Sequence, residues 1–151
     1  MKKIKVSKLL LAAGLITALS AATARAESYA VIVNTGNNFS GSESKIANEI
    51  RLLFLKEKFR WGNGVLSIPI GTPSSSEAFV AFRKEVLNMS EEQLKSHWVR
   101  IKQLKGDPAP REVGSEHLIS RLVARDTGSF GIISKKKADQ LKGKVKILLT
   151  F

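Results

Sequence analysis

Ile68-Pro69-Ile70-Gly71-Thr72-Pro73-Ser74-Ser75-Ser76-Glu77-Ala78-Phe79 is the stretch on which the reading of this chain turns. An apolar run breaks at Gly71 and Pro73, and a hydroxyl cluster follows just before helical hydrophobic spacing begins at Phe79, Phe82 and Val86. A strand over 65–70 therefore gives way to a loop, and the loop to a helix that starts at Ser75 or Ser76 and ends near Asn88. Pro69 cannot donate to a ladder, so the end of this strand lacks a partner. Serines at a helix start have two uses. Their oxygens cap first-turn N–H groups, which is the plain structural reading. Those N–H groups also lack internal partners and sit at the positive end of the helix dipole, so the same residues can cradle an anion.

Upstream, Tyr29-Ala30-Val31-Ile32-Val33-Asn34 is apolar throughout, as in a strand covered on both faces, and Asn34 to Asn38 is a turn. Ser40 to Glu43 has capping-box spacing before Ile46, Ile50, Leu53 and Phe54, which predicts a helix over 43–57. Phe59 to Gly64 reads as a turn with Trp61 as a core plug. Downstream, Ser90-Glu91-Glu92-Gln93 opens a helix to about Leu104, and Gly106, Pro108 and Pro110 enforce a loop. Val113-Gly114-Ser115 leads into a short helix carrying Leu118, Ile119, Leu122 and Val123, with Ser115 as a second candidate anion contact. Strands over 130–134 and 145–151 follow, separated by a basic turn region at Lys135 to Lys137 and Lys142 to Lys144. The alternation predicts a three-layer α/β lobe with a mainly parallel central sheet, and ligands then sit outside the carboxyl ends of the strands. On that rule the loops at Asn34 to Asn38, Gly71 to Ser76 and Gly114-Ser115 converge.

The first 26 residues carry Lys2, Lys3, Lys5 and Lys8, then an apolar segment, then Ala24-Arg25-Ala26. That order is a secretory signal peptide, with cleavage expected after Ala26 and a single domain over 27–151. No stable membrane insertion is expected after cleavage. The formal charge is +12; five of the basic residues and no acids fall in 1–26, so residues 27–151 carry +7. Such a surface attracts phosphate, acidic polymers or anionic lipid, and export argues against nucleic acid. The absence of Cys excludes disulfides and thiolate chemistry. His97 and His117 stand alone and 20 positions apart, so no metal or cofactor is expected, and His97 beside Trp98 reads as a partly buried helix residue. No nucleophile elbow accompanies Ser115-Glu116-His117, so no enzyme is expected.

The ordered set Ala30 to Asn34, Ile50-x-x-Leu53-Phe54-Leu55-x5-Trp61-x-Asn63-Gly64, Ser74-Ser75-Ser76-x-x-Phe79 and Thr127-Gly128-Ser129-Phe130-Gly131-Ile132-Ile133 resembles the phosphate-type substrate-binding proteins of bacterial ABC transporters. Within that type 2 periplasmic-binding-protein superfamily it looks like a short, single-lobe member, and the likeness covers about 29–150. The resemblance implies a periplasmic, non-catalytic protein that binds phosphate or a related oxyanion at Ser74, Ser75 and Ser76, with Thr72 adjacent; Ser115 and Thr35, from the other two loops expected to converge, are the further candidates. It also implies a possible ABC permease or a separate partner lobe. Ile68, Pro69, Ile70 and Gly71 stand where the family carries an Arg-x-Asp, and the family's N-terminal lobe is missing. A periplasmic interaction module that keeps the lobe without the ligand is the alternative.

Overall fold

The computed structural model describes residues 26–151. The signal peptide assigned to residues 1–26 lies, but for Ala26, outside the described residues. β1 (Tyr29–Asn34) is the central strand, buried almost throughout. Its side chains alternate between two cores, Val31 and Val33 in one, Ala30 and Ile32 in the other, which is why its sequence lacks a polar face. The first core is built with α1 (Glu43–Phe54), α2 (Glu77–Glu85) and α3 (Glu91–Lys105). The second is built with α4 (Glu116–Arg125) and α5 (Lys135–Gln140) on the opposite face. The result is the expected three-layer α/β lobe.

β2 (Ile68–Pro69), β3 (Ser129–Ser134) and β4 (Val145–Thr150) complete a four-stranded sheet in the order β2-β3-β1-β4. Here the expected mainly parallel sheet is corrected. β2 pairs parallel with β3, but β1 pairs antiparallel with both β3 and β4. Three strands share one direction, and the fourth runs against them from the middle, so two of three pairings are antiparallel. The cause lies after α1. Arg60 and Leu66 form an antiparallel bridge around a turn in which Gly64 N–H donates to Trp61 O at 2.8 Å. Asn63 Nδ2 donates to Asn37 Oδ1 at 3.1 Å. The segment thus carries the chain back to the end of the sheet it had left, and β2 starts where β1 finished.

Caps define the helices. Ser42, Ser76, Ser115 and Ser134 each accept a hydrogen bond from a first-turn N–H, and Ser90 and Gln93 form a full capping box. Gly106, with φ of 66°, ends α3 in the left-handed conformation glycine favours. Several sequence expectations shift. The strand expected over 65–70 is only Ile68–Pro69, its Pro69 end is paired with Phe130 rather than left without a partner, and the helix expected to reach Asn88 ends at Glu85. The helix expected over 43–57 stops at Phe54, with Lys56 at positive φ, and the basic turn expected at Lys135 to Lys137 is the first turn of α5. Ser134 starts that helix by accepting from Lys137 N–H. Trp61 is fully buried, its Nε1 donating to Gly128 O at 3.0 Å, and His97 is buried with Nε2 2.8 Å from Leu55 O. Among the described residues no helix is long and apolar enough to cross a membrane.

Candidate functional site

Because β2, β3 and β4 end at one edge of the sheet, the starts of α2, α4 and α5 gather there. Gly71 bridges to Glu112, and Val113 N–H donates to Gly71 O at 2.9 Å, which aligns the approach to Ser115 with the approach to Ser76. Glu116 ties α4 to α5: one carboxylate oxygen accepts from Ser134 N–H at 2.5 Å and the other from Ser134 Oγ at 3.1 Å. The phenol of Tyr29 lies at the same edge. Burial holds its pKa above 10.0, and the charges of Glu27, Glu77 and Glu116 push it further the same way.

The structure brings together five of the six expected site residues. Ser76 is the N-cap of α2: its Oγ accepts from Phe79 N–H at 3.2 Å and donates to Pro73 O at 2.7 Å. Its hydroxyl is therefore committed to the fold. Ser115 is likewise a cap, accepting from Leu118 N–H at 3.3 Å. Thr72 is buried between the two loops. Ser74 and Ser75 are exposed in the turn before Ser76, and with the cap in place the N–H groups of Glu77 and Ala78 have no partner within the helix.

Thr35 is not part of this edge. Since β1 runs against its neighbours, Thr35 lies at the opposite end of the sheet, beyond the C-terminus of α4. Asn34 Nδ2 donates there to Val123 O and Ala124 O at 3.0 and 2.9 Å, and Asn37 Nδ2 to Thr127 O at 3.2 Å. The ten residues of α4 put about 15 Å between Thr35 and Ser115. The convergence expected of three loops is a convergence of two, and the Asn34 to Asn38 loop caps a helix.

Ser74 and Ser75 also rim a hollow of about 660 Å³ between α2 and α3. Phe79, Leu94 and Trp98 give it apolar walls, and Arg83 and Lys95 bring cations. Arg83 is partly committed, donating to Met89 O at 2.9 Å, whereas Lys95 forms no ion pair among the described residues. Neither was singled out from the sequence, although the signal was there. Ser76, Phe79, Val80 and Arg83 share one face of α2 by their spacing, and Glu91, Leu94, Lys95 and Trp98 one face of α3. Glu91 and Glu112 in the same wall oppose the charge of these cations. No group of three or more His, Cys, Asp or Glu placed to hold a metal occurs among the described residues.

A lobe of three layers, with helix starts and serines gathered at the edge where three of its strands end, is the fold of one lobe of a phosphate-type periplasmic binding protein. The solved structures it resembles include an ABC-type phosphate transport receptor from Vibrio cholerae (TM-score 0.58, 15% identity, covering 81% of this chain and 45% of that one). PstS from Borrelia burgdorferi gives a TM-score of 0.60 at 17% identity, over 82% of this chain and 47% of that one. A putative phosphate ABC transporter substrate-binding protein with bound phosphate, from Clostridium perfringens, gives 0.59 at 15%, over 81% and 44%. The chain thus spans a little under half the length of these proteins. No family model and no curated protein sequence matches it.

Proposed function

We propose that the chain is an exported, non-catalytic binding lobe that takes phosphate or a related oxyanion at the start of α2. The observation that carries this reading is the α2 N-terminus itself. The cap on Ser76 leaves two first-turn N–H groups and the hydroxyls of Ser74 and Ser75 free to meet an anion, in a fold otherwise seen in phosphate receptors. Thr72 is buried in the same loop, and Ser115 sits at the neighbouring helix start. A single lobe contacts an anion from one side only. Millimolar affinity is therefore expected of the isolated chain, with tighter binding when a partner lobe or an ABC permease closes the other side. Secretion through a signal peptide cleaved after Ala26 would place it in the periplasm, and mass spectrometry of the exported protein reads that cleavage directly.

The occupied cap hydroxyls of Ser76 and Ser115, and the carboxylates of Glu77 and Glu116 in the first helical turns, favour the second reading, an envelope interaction module that keeps the lobe without the ligand. Calorimetric titration with phosphate, sulfate and arsenate separates the two. Saturable heat that disappears in Ser74→Ala/Ser75→Ala supports the oxyanion site. No heat and no thermal shift at millimolar phosphate refutes it in favour of the module, which then has to show a complex with an envelope protein.

A further inference from the structure

Along the outer edge of β2, beside α4, lies a separate, open-sided hollow of about 210 Å³. Ser129, only 2% exposed, faces it at the start of β3, beside the end of α4. Its N–H donates to Asp126 O at 3.1 Å. Its hydroxyl bonds to no other described residue, and since among the described residues no fully enclosed side-chain polar atom is left without a partner, that hydroxyl keeps contact with the hollow that Ser129 lines. The walls are apolar, from Ile70 and Val113, both buried, and half-buried Leu122. Two exposed arginines, Arg111 from the loop after α3 and Arg125 from the last turn of α4, line the same space. Neither is ion-paired among the described residues. Asp126 is the single acid, with one oxygen accepting from Gly128 N–H at 3.0 Å.

Size, charge and polarity together select a ligand class. Two guanidinium groups against one carboxylate leave a net charge of +1, matched by a monoanion. An engineered cavity of about 150 Å³ accepts benzene, so this one has room for a six-membered ring or a branched chain bearing a small head group. A phosphate would press polar oxygens against Ile70, Val113 and Leu122 without partners, at a desolvation cost. A planar carboxylate instead presents two oxygens to the arginine forks and leaves its body to the apolar wall. We propose that this hollow binds a small organic monocarboxylate with an apolar body, held by Arg111 and Arg125 with the Ser129 hydroxyl as a further donor.

The test is a nitrogen–proton shift titration of the protein with benzoate, its neutral isostere benzamide, and inorganic phosphate. Saturable benzoate shifts centred on Ser129 and Arg125 are expected, with benzamide roughly tenfold weaker or worse, as loss of a charge-assisted hydrogen bond implies. Arg111→Gln/Arg125→Gln should lower benzoate affinity by a similar factor. Both positions are exposed, so an unchanged circular dichroism melt is expected, and Ser129→Ala gives an independent, smaller loss. Phosphate should leave these resonances unmoved. Benzoate that binds no better than benzamide, that binds the double variant equally well, or that fails to saturate by about 10 mM overturns the proposal. None of these outcomes depends on whether phosphate binds at the start of α2.

Discussion

Ser76→Ala separates what the serine cluster does for the fold from what it does for a ligand. Ser76 Oγ makes two bonds, accepting from Phe79 N–H at 3.2 Å and donating to Pro73 O at 2.7 Å. Loss of a serine N-cap costs about 1 kcal/mol, within a range of roughly 0.5–2. The bond to Pro73 adds a fraction of a typical net hydrogen bond, about 0.5 kcal/mol, because Pro73 O also accepts from Ser76 N–H at 2.9 Å and stays satisfied. The sum is about 1.5 kcal/mol, or roughly 5 °C in Tm for a domain of this size. Ser75→Ala removes an exposed hydroxyl without a fold partner and should stay within about 0.5 kcal/mol of the parent. Urea denaturation followed by circular dichroism, with phosphate titration of both variants, reads the difference. Ser76→Ala should be the less stable protein and Ser75→Ala the weaker binder per unit of stability lost. Equal stability of the two variants, or a Ser75→Ala that is the more destabilised, would refute the assignment of Ser76 as the cap.

Gly128→Ala should fail to give a folded protein, because its added Cβ falls 1.8 Å from Leu66 O; the cost exceeds about 4 kcal/mol, while Gly114→Ala, with Pro73 Cγ 4.0 Å away, should express and melt like the parent. Tyr29 is the only tyrosine, so tyrosinate absorbance should titrate above pH 10.0 in the folded protein. The native state holds that proton more tightly than the unfolded chain does, so Tyr29 supports stability below pH 10.0 and withdraws it as pH rises through the native value. Tyr29→Phe should flatten that alkaline loss, and a parent and variant with the same alkaline slope would contradict it. Glu49→Gln should destabilise by about 1–3 kcal/mol, since the buried carboxylate accepts from Lys58 Nζ at 2.8 Å and Gly62 N–H at 2.6 Å; a neutral result in urea denaturation counts against that role. Glu77→Gln should strengthen phosphate binding by about 0.3–1 kcal/mol, because a carboxylate in the first turn of α2 already occupies the field of the helix dipole; unchanged affinity would place the anion elsewhere.

Most helix starts were legible because a serine followed by resumed hydrophobic spacing specifies a cap locally, and Ser76, Ser90 and Ser115 are caps in the structure, whereas α1 is capped by Ser42 and not by Ser40. The layers were legible too, since β1 has no polar face and must be covered twice. Strand direction was not. Nothing local in Tyr29 to Asn34 shows whether its neighbours run with it, and the deciding feature is the reversal at Trp61 to Gly64, whose consequence appears only when Asn63 reaches Asn37. That one reversal moves Thr35 to the wrong end of the sheet for the expected site. Lys135 to Lys137 misled for a different reason. Lysines in a first turn oppose the helix dipole and read as a solvated turn, yet Ser134 caps the helix and Lys135 pairs with Asp139 at 2.6 Å.

The two candidate sites divide the lobe by direction. At the edge where β2, β3 and β4 end, the fold supplies N–H groups, short hydroxyls and two first-turn carboxylates, a setting that tolerates a small, strongly hydrated anion held from one side. Along the β2 edge beside α4, the fold supplies apolar walls with two arginines that form no ion pair among the described residues, a setting proposed above to suit an anion with a greasy body. A single strand running against its neighbours is what keeps these chemistries apart. Were β1 parallel, the Asn34 to Asn38 loop would crowd the first edge, and the α4 C-terminus would lose the Asn34 side chain that now bonds Val123 O and Ala124 O, immediately before Arg125. The cap that removes Thr35 from the expected site therefore also anchors the arginine on which the second one depends.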